Sequence, residues 1–188
     1  MKKMNRFISY IAAFAALMLG TSCVKEKLEQ TYTNQESKID SYIESKRYTN
    51  TEKTESLRVV YNGGSTRLVK TEGVGEELKA HGTLAIYYAG YVFTNGKNAN
   101  SLFITNHEET AKSAGWNLTD EKFELLQLNM GETELVEGLR QGLMGVKSGE
   151  NCEILFSGKY GFGNTIIGII PANSALLYEI WVEAVSND

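Results

Sequence analysis

The chain has few of the residues that hold metals or form disulfide bonds. Its 188 residues include two cysteines and two histidines. Two cysteines cannot build a disulfide framework or a four-thiolate metal site. His81 and His107 have no partners at metal-ligand spacing. We therefore expect no metal and no cofactor.

Positive charge is also in short supply. Lys and Arg number 19 against 23 Asp and Glu, which gives a formal net charge of −4. A protein that binds nucleic acid through its phosphates needs a basic surface, so we expect no nucleic-acid partner. The 42% of hydrophobic residues is enough for one domain with a sizeable core and too much for a disordered chain.

The N-terminus has the pattern of an export signal. Lys2, Lys3 and Arg6 precede an apolar run over residues 7–19, which is too short for a stable membrane span. The run ends in Leu19-Gly20-Thr21-Ser22-Cys23. Small residues before a cysteine resemble the bacterial lipoprotein signal, although Gly20 stands where that signal usually has Leu. The resemblance implies a signal peptide over residues 1–22 and a lipidated Cys23.

A lipidated Cys23 would anchor the chain in a membrane without spanning it, because each buried acyl CH2 contributes about 0.8 kcal/mol. The expected location is the bacterial cell envelope, facing the periplasm or the cell exterior. The alternative is an ordinary secretory signal with an incidental cysteine. Cys152 alternates with Ile154 and Phe156, which predicts a core residue rather than a reactive nucleophile.

Residues 23–56 are predicted to be the lipidated N-terminus and a tether. They are rich in Lys, Glu, Thr, Asn, Gln and Ser, and their one apolar cluster is Ile39, Tyr42 and Ile43 at helical spacing. We expect a mostly mobile spacer with a short amphipathic helix near residues 37–46.

Residues 57–188 are predicted to form one α+β domain, a sheet wrapped around one helix. The Asn62-Gly63-Gly64 turn favours a hairpin between the first two strands. Asn106 is expected to cap the first helix of the domain. The predicted strands are 57–61, 66–71, 83–93, 123–128, 151–157 and 175–185, and the predicted helices are 106–114 and 134–144.

Four motifs follow one another in a fixed order through this domain. They are Tyr87-Tyr88-Ala89-Gly90, Leu135-Val136-Glu137-Gly138-Leu139-Arg140-Gln141-Gly142, Tyr160-Gly161-Phe162-Gly163 and Gly168-Ile169-Ile170-Pro171-Ala172-Asn173-Ser174. In this order they resemble the FKBP family of peptidyl-prolyl cis-trans isomerases. The likeness covers roughly residues 57–188, and the series is far more specific than any one motif.

The resemblance implies a half-barrel antiparallel sheet around a short helix, with an apolar pocket that accepts a proline ring. A backbone N–H in the Leu135-Val136 turn is implied to hold the substrate chain. The implied partners are proline-containing polypeptides. Carried over motif by motif, the pocket residues are Tyr88, Leu126, Leu135, Val136, Leu139, Phe162, Ile169, Ile170 and Tyr178, with Asn100 at a position that commonly faces the substrate.

Several departures from the family pattern bear on activity. Ala99 and Asn100 are expected to stand at the positions where the family usually has an aromatic residue followed by Asp. Phe162 stands in place of a Tyr whose hydroxyl donates to a substrate carbonyl, and Leu139 in place of a frequent Trp. The segment 102–124 is longer than the usual connection. It would reshape the cleft, serve as a partner surface, or have no function.

Two functions follow from these patterns. The first is an anchored isomerase that assists the folding of exported proteins. The second is a catalytically weak or inactive lipoprotein of the same fold that binds peptide segments or a protein partner.

Overall fold

The computed structural model describes residues 2–49, 53–119 and 122–188, and the side chains from residue 24 onward within those ranges. The chain divides into two compact units, Met1–Asn34 and Gln35–Asp188. Among the described residues, no helix has the length and apolar character needed to cross a bilayer. The side chain of Cys23 lies outside the described residues, so its lipidation and the predicted domain limits stay predictions.

Helix α1 spans Lys2–Lys46, well beyond the short helix expected near residues 37–46. No glycine or proline interrupts residues 21–46, so nothing in this polar stretch breaks the helix. Its last turns belong to the second unit, where Ile39, Tyr42 and Ile43 are buried. Packing supplies the stability that a short isolated helix lacks.

Over the described ranges, the sheet has seven strands, all antiparallel. They are β1 (Arg58–Asn62), β2 (Ser65–Thr71), β3 (Thr83–Val92), β4 (Leu102–Thr105), β5 (Leu126–Asn129), β6 (Asn151–Phe156) and β7 (Leu176–Ser186). Their order is β1-β2-β6-β7-β3-β4, and β5 also pairs with β3. β3 therefore carries β7 along one edge and β5 followed by β4 along the other. The expected α+β class with one curved antiparallel sheet is confirmed.

Asn106 fills the gap between β5 and β4 on the shared edge of β3. Its Oδ1 accepts from the Tyr88 N–H at 2.6 Å, and its Nδ2 donates to the carbonyls of Ile86 at 3.1 Å and Glu124 at 2.9 Å. The prediction that Asn106 caps a helix is therefore wrong. Helix α2 (Glu108–Ser113) begins after His107, which makes no side-chain capping bond.

Two hydrophobic clusters lie on opposite faces of the sheet. One packs β6, β7 and part of β3 against helix α3 (Glu137–Leu143), and it includes Cys152, Ile154 and Phe156. The other packs the sheet against the end of α1. The core role predicted for Cys152 is confirmed, and burial raises the pKa of its thiol well above the usual value.

Candidate functional site

An apolar cavity of about 630 Å³ opens between α3, the sheet and the loop that follows β6. In the described ranges, no charged side chain lines it. A cavity of this size with an apolar lining is typical of a ligand site. It is lined by Ile86, Tyr88, Leu102, Phe103, Ile104, Trp116, Leu126, Leu128, Leu135, Leu139, Phe162, Ile167, Gly168, Ile169, Ile170, Tyr178 and Ile180.

The structure brings together eight of the ten residues that the sequence placed at the site. They come from five parts of the fold and are Tyr88, Leu126, Leu135, Leu139, Phe162, Ile169, Ile170 and Tyr178. Val136 does not line the cavity; it precedes α3 as its N-cap and packs against the adjoining core. No described group accepts a hydrogen bond from the Val136 N–H.

Asn100 lies away from the cavity, and the wall expected at Ala99 is supplied elsewhere. Both residues are exposed in a 3-10 turn, Ala99–Ser101, which a capping box between Asn98 and Ser101 closes. Because Ala99 and Asn100 form this turn, they do not reach the cavity wall. The aromatic wall is Phe103 on β4, whose ring meets that of Tyr178 edge to face at 5.8 Å and 87°.

The residue after Phe103 is Ile104, which also lines the cavity. An aromatic residue is therefore present at the wall. The acid that usually follows it in the family is absent, because Ile104 follows Phe103 and Asn100 follows Ala99. Losing the acid removes a charge from the mouth of the cavity and leaves an apolar side chain that is 40% exposed.

The long segment after β4 also contributes to the site. Trp116 follows α2 and lies on the cavity wall beside Leu102 and Ile104. The insertion therefore reshapes the cleft, as one of the sequence-based alternatives proposed. The alternation of apolar residues along β3, β5 and β7 could have identified Ile86, Leu128 and Ile180 as cavity residues. No local sequence pattern predicts that Phe103 or Trp116 lines the cavity.

The loop after β6 forms part of the cavity lining. Hydrogen bonds in both directions between Ile167 and Ile170, at 3.1 and 2.8 Å, shape its tip. Ile166, Ile167 and Ile169 are 73%, 42% and 57% exposed. Such a row of exposed isoleucines beside an apolar cavity marks a surface that meets another molecule.

Among the residues that the structure describes, none that lines the site is charged at neutral pH. Burial raises the pKa of Tyr88, and burial together with the nearby Tyr88 raises the pKa of Tyr178. Both phenols are therefore neutral donors. Within the described part of the chain, no three His, Cys, Asp or Glu side chains are grouped as a metal site would require.

The family model of the FKBP-type peptidyl-prolyl cis-trans isomerases matches residues 75–183. The chain belongs to this family. FK506-binding protein 1 of Aspergillus oryzae is 28% identical over 117 residues, which are 62% of this chain and 94% of that protein. FK506-binding protein 1A of Neurospora crassa is 28% identical over 113 residues, 59% of this chain and 79% of that protein.

Solved structures show the same FKBP fold. The three FKBP domains of wheat FKBP73 align with a TM-score of 0.57 at 21% identity, over 71% of this chain and 53% of that one. FkpA from Escherichia coli aligns with a TM-score of 0.52 at 20% identity, over 95% of this chain and 70% of that one. The predicted family is confirmed, and peptidyl-prolyl cis-trans isomerisation is the activity of this FKBP domain.

Proposed function

We propose that the apolar cavity catalyses this reaction by desolvation of the rotating X-Pro amide. Rotation is slow, about tens to hundreds of seconds, because amide resonance must be broken. The twisted amide is less polar than the planar one. An apolar cavity therefore stabilises the twisted state more than the ground state, and no nucleophile or cofactor is required.

The observation that supports this proposal is the composition of the cavity wall. All but three of its side chains consist only of carbon and hydrogen, and the exceptions are two tyrosines and a tryptophan. The Val136 N–H has no acceptor among the described residues, and in this proposal it holds the substrate backbone while the cavity holds the proline ring.

The test compares two isoleucines on one loop. Ile169 lines the cavity and Ile166 does not, yet both are more than half exposed, so neither substitution should unfold the chain. In an isomerisation assay with an X-Pro peptide, we expect Ile169→Ala to lower kcat/KM about fivefold, which corresponds to about 1 kcal/mol of lost apolar contact.

Ile166→Ala is the matched control and should leave kcat/KM unchanged. Equal rates for the two variants and the wild-type chain would contradict catalysis in this cavity. A wild-type rate no faster than the uncatalysed reaction would favour the second hypothesis from the sequence, a binding protein without turnover.

We further propose that the clients are exported proteins met at the membrane surface. The support is the basic and apolar pattern of residues 1–22 followed by Cys23. An enzyme held there by a lipid would meet chains as they emerge in extended form, when their X-Pro bonds are accessible.

A further inference from the structure

The cavity contains two phenol hydroxyls without a hydrogen-bond partner. Tyr88, Trp116 and Tyr178 are the lining residues with polar side-chain atoms. No group in the described part of the chain bonds to the hydroxyl of Tyr88 or Tyr178, and neither oxygen is among the fully buried unpaired atoms, so both are open to the cavity. A hydroxyl that is open to a cavity and has no protein partner bonds to water in the free protein, and a ligand atom that displaces this water can take its place.

Tyr178 is the more buried and more rigid of the two. Its side chain lies in the core, with the residue 6% exposed. Phe103 packs edge to face on its ring, and Phe156 stacks on it at 6.1 Å with an interplanar angle of 16°. With the ring held in this way, the hydroxyl is presented at a fixed position on the cavity wall.

The chemistry of a proline segment suits a hydroxyl donor. Proline has no backbone N–H, so the polar groups nearest its ring are carbonyl oxygens, which accept. Phe162, on the facing loop, has no hydroxyl to offer them. A neutral phenol can donate to a carbonyl without placing a charge in the apolar cavity.

We propose that the Tyr178 hydroxyl donates a hydrogen bond to a backbone carbonyl of the bound proline segment and so replaces the donor that Phe162 lacks. This inference rests on the proposed function. It makes Tyr178 a substrate-binding residue, and it gives the apolar cavity one polar point that fixes the orientation of the chain.

The test removes single hydroxyls and measures binding and stability separately. Binding of a blocked tetrapeptide with a central Leu-Pro is followed by tryptophan fluorescence, and unfolding is followed by heat. We expect Tyr178→Phe to weaken peptide binding about 3- to 10-fold. Its Tm should stay equal or rise, because the lost hydroxyl has no protein partner in the free chain.

Two further variants complete the experiment. Phe162→Tyr added to Tyr178→Phe should restore most of the lost affinity. Tyr91→Phe is the matched control: Tyr91 is 7% exposed, lies in the other core cluster and does not line the cavity. This variant should leave peptide affinity unchanged.

Unchanged affinity in Tyr178→Phe, or loss with Tyr88→Phe alone, would overturn the inference. So would a fall in Tm that accompanies the loss of binding, since the hydroxyl would then have an internal partner. These outcomes differ from failure of the proposed function, which would show as peptide binding by the wild-type chain without faster isomerisation.

Discussion

At the scale of single residues, the position of α3 against the sheet depends on two glycines. A Cβ on Gly138 would overlap the ring of Phe156, and a Cβ on Gly142 would overlap the side chain of Ile154. Both partners lie on β6, in the same core cluster as Leu139 of α3. The absence of side chains at these two positions lets Leu139 of α3 reach the cavity wall.

We expect Gly138→Ala to destabilise the chain by about 1–3 kcal/mol through overpacking. This cost opposes the gain of about 1 kcal/mol that alanine usually brings to a helix, so the sign of the change is informative. Urea unfolding measures it. Glu137→Ala, at an exposed position of the same helix, should change stability by less than about 1 kcal/mol. A Gly138→Ala chain as stable as wild type would mean that α3 lies farther from β6.

At the scale of elements, the sequence predicted what repeats and missed what is irregular. The alternation in β2, β3, β6 and β7 and the turn at Gly63 and Gly64 gave strands whose ends lie within a residue or two of those observed. β4 has only four residues and follows a capped turn. A strand this short shows no clear alternation of apolar and polar residues, so the sequence does not predict β4 or the position of Phe103. The sequence predicts a helix cap at Asn106 from its neighbours alone. Its observed role depends on hydrogen bonds to residues about 18 to 20 positions away, which a local pattern does not show.

Helix α1 also bonds to the loop that follows β6, a contact that its polar sequence did not predict. The Gln35 amide donates to the Asn173 carbonyl at 2.7 Å and accepts from the Gly158 N–H at 2.8 Å. Gly158 and Asn173 flank the loop that carries Phe162 and Ile169 to the cavity, and the Asn173 N–H in turn donates to Gly163 within that loop at 2.6 Å. One side chain of α1 thus fastens both ends of the cavity loop.

We expect Gln35→Ala to loosen this loop. The Gly158 N–H and the Asn173 carbonyl would lose their shared partner, so amide exchange at Gly158 should accelerate and KM for an X-Pro peptide should rise about threefold, as for one neutral hydrogen bond. Ser41→Ala, an exposed position on the same helix, is the control. If exchange at Gly158 stays as slow as in the control, α1 does not hold the loop.

At the scale of the whole molecule, the last turns of helix α1 belong to the catalytic domain. Residues 35–46 of α1 are part of the compact unit Gln35–Asp188. Cys23 precedes this unit by 12 residues in the sequence. The part of the predicted tether that ends at Lys46 is helical, whereas the sequence predicted a mostly mobile spacer.

The lipid anchor is tested by changing Cys23 alone. We expect the wild-type chain, expressed in a bacterium with lipoprotein processing, to incorporate a labelled fatty acid and to sediment with membranes. Cys23→Ser should lose the label and appear in the soluble fraction, because a signal segment without its cysteine cannot carry the acyl chains. Cys152→Ser is the control: Cys152 is buried, so the label should remain. Label retained in Cys23→Ser would contradict lipidation at Cys23. A wild-type chain without label and without membrane association would show that the signal is an ordinary secretory one and that the isomerase meets its clients free of the membrane.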